Sequence, residues 1–105
     1  MREIDQDGFA VAHAAGGYVL DVREPVEYVG GHVPGATLMP MSTIAARASE
    51  LPSDTRIHVI CASGNRSLVV TDALQRAGYD AVSVAGGTSA WRFAGRPVVT
   101  GMDAH

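Results

Sequence analysis

Ile57-His58-Val59-Ile60-Cys61-Ala62-Ser63-Gly64-Asn65-Arg66-Ser67 is the stretch on which the fold turns. Its first five residues form a short, apolar, β-branched run, which predicts a strand. Residues 62–66 include a Gly and an Asn and predict a loop. Residues 67–77 then predict a helix, with Gly78 as its C-terminal stop. The same alternation continues on both sides. Downstream, Ala81-Val82-Ser83-Val84 predicts another strand, and Gly86-Gly87 leads into a helix holding Ser89, Ala90, Trp91, Arg92 and Phe93. Upstream, Asp5 is placed to cap a helix through about Ala14, ended by Gly16 and Gly17. Tyr18-Val19-Leu20-Asp21-Val22 is a β-rich run. Residues 24–29 read as a short helix with Pro25 in its first turn. Gly30 and Gly31 stop it, His32-Val33-Pro34-Gly35 is a turn, and residues 36–39 fit a strand. Ser42 or Thr43 is placed to cap a helix through about Glu50, closed by Pro52. Short apolar strands alternating with helices predict an α/β fold: a parallel sheet with right-handed crossovers.

Ligands of such folds bind at the carboxyl ends of the strands. Cys61 ends one strand and Asp21-Val22-Arg23-Glu24 ends another, so the two chemically richest segments are expected on one edge of the sheet. Cys61 is the only cysteine. It can make no internal disulfide and no cysteine-rich metal site. A lone Cys in a strand is more often a small buried hydrophobe, but the Gly, Asn, Arg and Ser after Cys61 tip the reading toward a reactive thiol. A helix N-terminus offers free amides and partial positive charge. Gly64 and Asn65 let the loop's amides turn inward as an anion nest, and Arg66 adds a permanent charge. Comparable surroundings lower a cysteine pKa to about 3.5–7.5.

Composition sets the outer bounds. A chain of 105 residues reads as one domain over residues 1–105, and at this size it buries roughly 60–65% of its unfolded surface. Apolar residues make up 47% and run the whole length, which argues against disorder. The formal charge is −3. All eight basic residues are Arg, dispersed along the chain, and they form no stripe suited to nucleic acid. No apolar run is long enough to span a bilayer, and no basic-then-apolar leader opens the chain, so a cytoplasmic protein is expected.

Cys61-Ala62-Ser63-Gly64-Asn65-Arg66-Ser67 matches the pattern Cys, two variable residues, Gly, one variable residue, Arg, then Ser or Thr. With Asp21-Val22-Arg23-Glu24, Gly31-His32-Val33-Pro34-Gly35-Ala36, and Gly86-Gly87 before Trp91, it resembles the rhodanese family over nearly the whole chain. The resemblance implies a rhodanese-like central parallel β-sheet flanked by helices on both faces. It also implies a sulfurtransferase that moves a sulfane sulfur from a donor such as thiosulfate to cyanide or a thiol. Cys61 would carry that sulfur as a persulfide, held by the loop Ala62, Ser63, Gly64, Asn65, Arg66 and Ser67, with no metal or organic cofactor. Asp21 is a candidate anchor for the loop and Arg23 a partner for a nearby acid. Ordinary strand-end chemistry explains both equally well. His32 is a candidate general base, although a structural turn histidine is the commoner case. Trp91 and His58 read as packed residues.

Three other readings compete. A phosphatase or arsenate reductase uses the same residue types, but the tyrosine-phosphatase pattern has five residues between Cys and Arg. Here Cys61 and Arg66 are separated by four, a tighter ring of amides. A non-catalytic module of this family usually lacks the cysteine. A persulfide relay to a partner protein shares the chemistry and differs only in donor and acceptor. Relatives active on thiosulfate often carry extra basic residues in the loop, where this chain has Ala62 and Ser63.

Overall fold

A computed structural model describes residues 2–105 of the chain. Five parallel strands form one sheet in the order β1-β5-β4-β2-β3: β1 Glu3–Ile4, β2 Tyr18–Asp21, β3 Thr37–Leu38, β4 Ile57–Ile60 and β5 Ala81–Val84. The helices between and after them are α1 Gln6–Ala14, α2 Pro25–Val29, α3 Ile44–Arg47, α4 Asn65–Arg76 and α5 Gly87–Phe93. No helix among the described residues is long and apolar enough to cross a membrane.

Successive strand residues point to opposite faces, and the sequence fills both. Leu20, Ile57, Val59 and Ala81 face α3 and α4, where they pack with Ile44, Val70 and Leu74. Val19, Ile60 and Val84 face the other way, against Phe9 of α1, Tyr28 of α2 and Trp91 of α5. The sheet is therefore covered on both sides, as the alternation of strands and helices predicts. Cys61 follows β4 and packs with the α4-side cluster. Asp21, paired in register with Ile60, belongs to the opposite face.

Three features differ from expectation, and a fourth lies where no expectation was set. Residues 3–4 form an edge strand that no local apolar run announces. Its pairing comes from β5, through Ser83 N–H to the Arg2 carbonyl at 2.7 Å and Ala85 N–H to the Ile4 carbonyl at 2.9 Å. The helix expected up to Glu50 is broken: a 3-10 turn at Met41–Thr43, the single turn α3, then a 3-10 turn at Ala48–Glu50. The Thr43 hydroxyl donates backward to the Pro40 carbonyl at 2.7 Å instead of capping forward. The Ala48 carbonyl is taken by the Leu51 amide and the Tyr79 hydroxyl, which tightens that last turn. Helix α4 begins at Asn65, two residues before the expected start, because Gly64 at φ +107° completes the turn. Finally, the chain after α5 crosses the segment between α2 and β3. His32 and Val99 exchange two backbone bonds at 2.9 Å, and Gly35 N–H reaches the Ala104 carbonyl at 2.7 Å.

Candidate active site

Cys61 leaves β4 with its side chain only 1% exposed. The chain then turns through residues 62–64 into α4. Gly64 sits in the left-handed region, where a side chain is strained, and this aims its N–H at Cys61 Sγ, 3.0 Å away. The Cys61 thiol donates to the Ser67 hydroxyl at 3.4 Å, and that hydroxyl bonds the Ser83 hydroxyl on β5 at 2.7 Å. Burial by itself pushes the Cys61 thiol up. The Ser67 hydroxyl and the amides of Ser67, Gly64 and Ser63 more than offset it, and the thiol lies below its ordinary range. The reactive thiolate form is thus favoured by short-range donors.

Those donors are held from behind by α5. Thr88 N–H bonds the Cys61 carbonyl at 2.8 Å, and Ser89 N–H bonds the Ala62 carbonyl at 2.9 Å. With these carbonyls fixed toward α5, the following amides are turned toward the sulfur. Gly87 lets the two backbones meet: a Cβ there would lie 2.5 Å from the Cys61 carbonyl oxygen and 2.7 Å from that of Ala62. The Gly86-Gly87 motif therefore has a direct steric cause. Gln6 of α1 braces the same turn through bonds to the Ala85 and Gly87 carbonyls.

Arg66 does not point its charge mainly at the sulfur. Its two guanidinium nitrogens grip Glu27 of α2 at 2.7 and 2.8 Å. The hydrogen bond from Arg66 is the main reason the Glu27 carboxyl is held at about 2, and the same bond keeps Arg66 firmly protonated. The charge that the sequence adds at Arg66 is thus shared between Glu27, its hydrogen-bond partner, and Cys61, which it reaches only through space. Asn65 is exposed in the first turn of α4, Ser63 is exposed in the loop, and Ala62 is half-buried beside it.

The three supporting residues lie away from the sulfur. Asp21 accepts from the backbone and guanidinium of Arg23, not from the loop amides, and Arg23 also donates to the Gly31 carbonyl. This buried pair ties β2 to the α2–β3 connection, and Asp21 is the acid that Arg23 pairs with. It does not anchor the loop, because the sheet's alternation places it on the other face. His32 is stacked on Tyr28 with ring centroids 3.6 Å apart, and its ring nitrogens meet the Tyr28 and Asp103 carbonyls at 2.8 Å each. Both nitrogens are committed, so His32 fits the structural turn histidine and not a general base at Cys61. Among the described residues, no three His, Cys, Asp or Glu side chains gather as a metal ion requires.

Ser83 and Glu27 join the site without having been singled out in the sequence. Ser83 had one local signal, a hydroxyl inside an otherwise apolar strand. Its role leads to a measurable expectation. Ser67→Ala removes a donor to the thiolate, so the alkylation of Cys61 by iodoacetamide titrates at higher pH. At a fixed pH on the rising limb the rate falls roughly tenfold, the scale of one hydrogen bond to a charged group. Ser83→Ala moves the titration the same way but less, because it only orients Ser67. Unchanged curves in both variants would show that the hydroxyl pair plays no part in ionisation.

The family model described as "Rhodanese-like domain" matches residues 5–94. The chain belongs to this family. A sulfurtransferase from Allochromatium vinosum is 34% identical over 102 residues, spanning 94% of this chain and 95% of that protein. The crystal structure of a rhodanese-related protein from Thermoplasma volcanium superposes with a TM-score of 0.90 at 34% identity, covering 98% of this chain and all of that one. Thiosulfate sulfurtransferase from Pseudomonas aeruginosa superposes with a TM-score of 0.86 at 28% identity, although this chain spans only 20% of it. Together, the rhodanese-like fold and the sulfurtransferase relative support sulfur transfer as the general activity.

Proposed function

We propose that this rhodanese-like chain transfers sulfane sulfur through a persulfide on Cys61. The observation that carries the reading is a buried sulfur at the start of α4 that meets both the Gly64 amide, at 3.0 Å, and the Ser67 hydroxyl, at 3.4 Å. In the first half-reaction the Cys61 thiolate attacks the outer sulfur of a donor such as thiosulfate. The donor's S–S bond breaks, its electron pair leaves with sulfite, and the outer sulfur stays on Cys61. In the second, cyanide or a thiol attacks that outer sulfur and the thiolate returns, giving ping-pong kinetics. The amides stabilise the negative sulfur in both states, as donor clusters hold developing anions. No organic cofactor takes part in these steps. The acceptor in the cell is a small thiol or a sulfur-relay partner protein. A working free thiol suits a reducing compartment, here the cytoplasm.

Intact-mass measurement tests this directly. Exposure to thiosulfate or a persulfide donor should add one sulfur atom, and cyanide should remove it with release of thiocyanate. The same protein should leave p-nitrophenyl phosphate untouched, because the short ring of amides is cramped for a tetrahedral oxyanion. Phosphate ester turnover without sulfur uptake would reverse the assignment.

A further inference from the structure

We propose that Glu24 and Glu27 select the sulfur donor by charge, so that the site takes persulfides of low net charge in preference to the thiosulfate dianion. This rests on Cys61 being the persulfide-forming residue. A depression of about 220 Å³ lies beside the loop, lined by Val22, Glu24, Met41, Ser42 and Arg66. Two of these residues tie it to the reacting group: Arg66 closes the loop that follows Cys61, and Val22 belongs to the buried cluster that holds Cys61. Arg66 is the cation at this opening, and Glu27 already neutralises it through two short bonds. Glu24 is exposed and, among the described residues, enters no ion pair. The lining therefore carries one cation and one free anion, Arg66 and Glu24, and Glu27 sets a second anion against Arg66. The neighbouring Arg23 is buried against Asp21 and offers no countercharge.

The amide cradle can stabilise one charge at the reacting sulfur. The sulfonate end of thiosulfate would project outward, where Glu24 repels it and Arg66 is occupied. Glu27 stays ionised throughout the neutral range, since its carboxyl titrates at about 2. The Arg66 charge is thus masked under every ordinary assay condition. A persulfide R–S–SH meets no such opposition, and its stem can lie against Val22 and Met41. The Cys61 thiolate attacks the outer sulfur, the R–S bond to that sulfur breaks, and the electron pair leaves as R–S⁻. The outer sulfur remains on Cys61 as the persulfide, with no net oxidation or reduction.

The test compares cysteamine persulfide, 3-mercaptopropionate persulfide and thiosulfate, measuring kcat/KM and single-turnover loading of Cys61 by mass. In the wild type the order should fall with negative charge, roughly three- to tenfold per unit at low salt and less at high salt. Glu24→Gln, at an exposed position, should raise kcat/KM for thiosulfate several-fold and leave cysteamine persulfide equal or slower. Glu27→Gln, which frees Arg66, should favour thiosulfate still more. A wild type that prefers thiosulfate, or donor ratios unmoved in both variants, overturns the charge filter while loading of Cys61 upholds sulfur transfer. A protein that none of the three donors loads refutes both.

Discussion

Cys61→Ser takes up no sulfur from any donor and loses transfer activity by at least about 10⁴-fold, the scale of removing a catalytic nucleophile. The serine hydroxyl keeps nearly the same volume and still accepts from the Gly64 amide, so the fold and the loop remain in place. It stays protonated where the thiol ionises, and oxygen forms no stable bond to a sulfane sulfur. No second cysteine exists to substitute for it. Thermal unfolding should therefore move little, by about 1 kcal/mol or less, while the intact mass after donor exposure stays that of the bare protein. Sulfur uptake by the variant would place the acceptor atom elsewhere and remove the basis of the mechanism.

Gly87→Ala is expected to lower sulfur transfer roughly 10²–10³-fold, the effect of withdrawing one well-placed donor from a developing anion. The new methyl group would stand 2.5 Å from the Cys61 carbonyl oxygen, in a residue whose φ is +58°. Neither carbonyl of the loop can yield without breaking its bond from Thr88 or Ser89. The loop must back away from α5, and its amides then lose their aim at Sγ. Gly16→Ala supplies the control. Gly16 also has positive φ, +85°, but a Cβ there would meet nothing within 4 Å. That variant should show only a backbone cost of about 1–2 kcal/mol and full activity per folded molecule. Equal loss of activity in both would mean that general strain, not loop displacement, is responsible.

The unit from Ile57 to Gly78 was legible because each signal in it is local. An apolar run, a Gly at the turn and a Gly at the helix end each act on their own neighbours. The same holds for β5 and for the Asp5 cap of α1, whose side chain accepts from the Gly8 amide. What the residues did not disclose depends on partners far away in the chain. Strand β1 exists through its pairing with β5. The charge of Arg66 is redirected by Glu27, 39 residues away. Asp21 and Cys61 both end strands on one edge, but only the register of Asp21 with Ile60 shows that they face opposite sides. The structural turn histidine is the commoner reading of His32, but one of the partners that fixes it, the Asp103 carbonyl, lies 71 residues away and leaves no local sign.

The buried hydroxyl chain from Cys61 through Ser67 to Ser83 has a polarity, and ionisation of the thiol reverses it. With the thiol protonated, Cys61 donates to Ser67, and Ser67 is left to donate to Ser83. Once the sulfur is anionic it can only accept, so the Ser67 hydroxyl rotates toward it and Ser83 must in turn donate to Ser67. Two rotors, one of them on a neighbouring strand, thus switch orientation together each time the sulfur gains or loses its proton. Ser83 on strand β5 lies one hydroxyl removed from the sulfur, yet its orientation carries a readable imprint of the charge on Cys61.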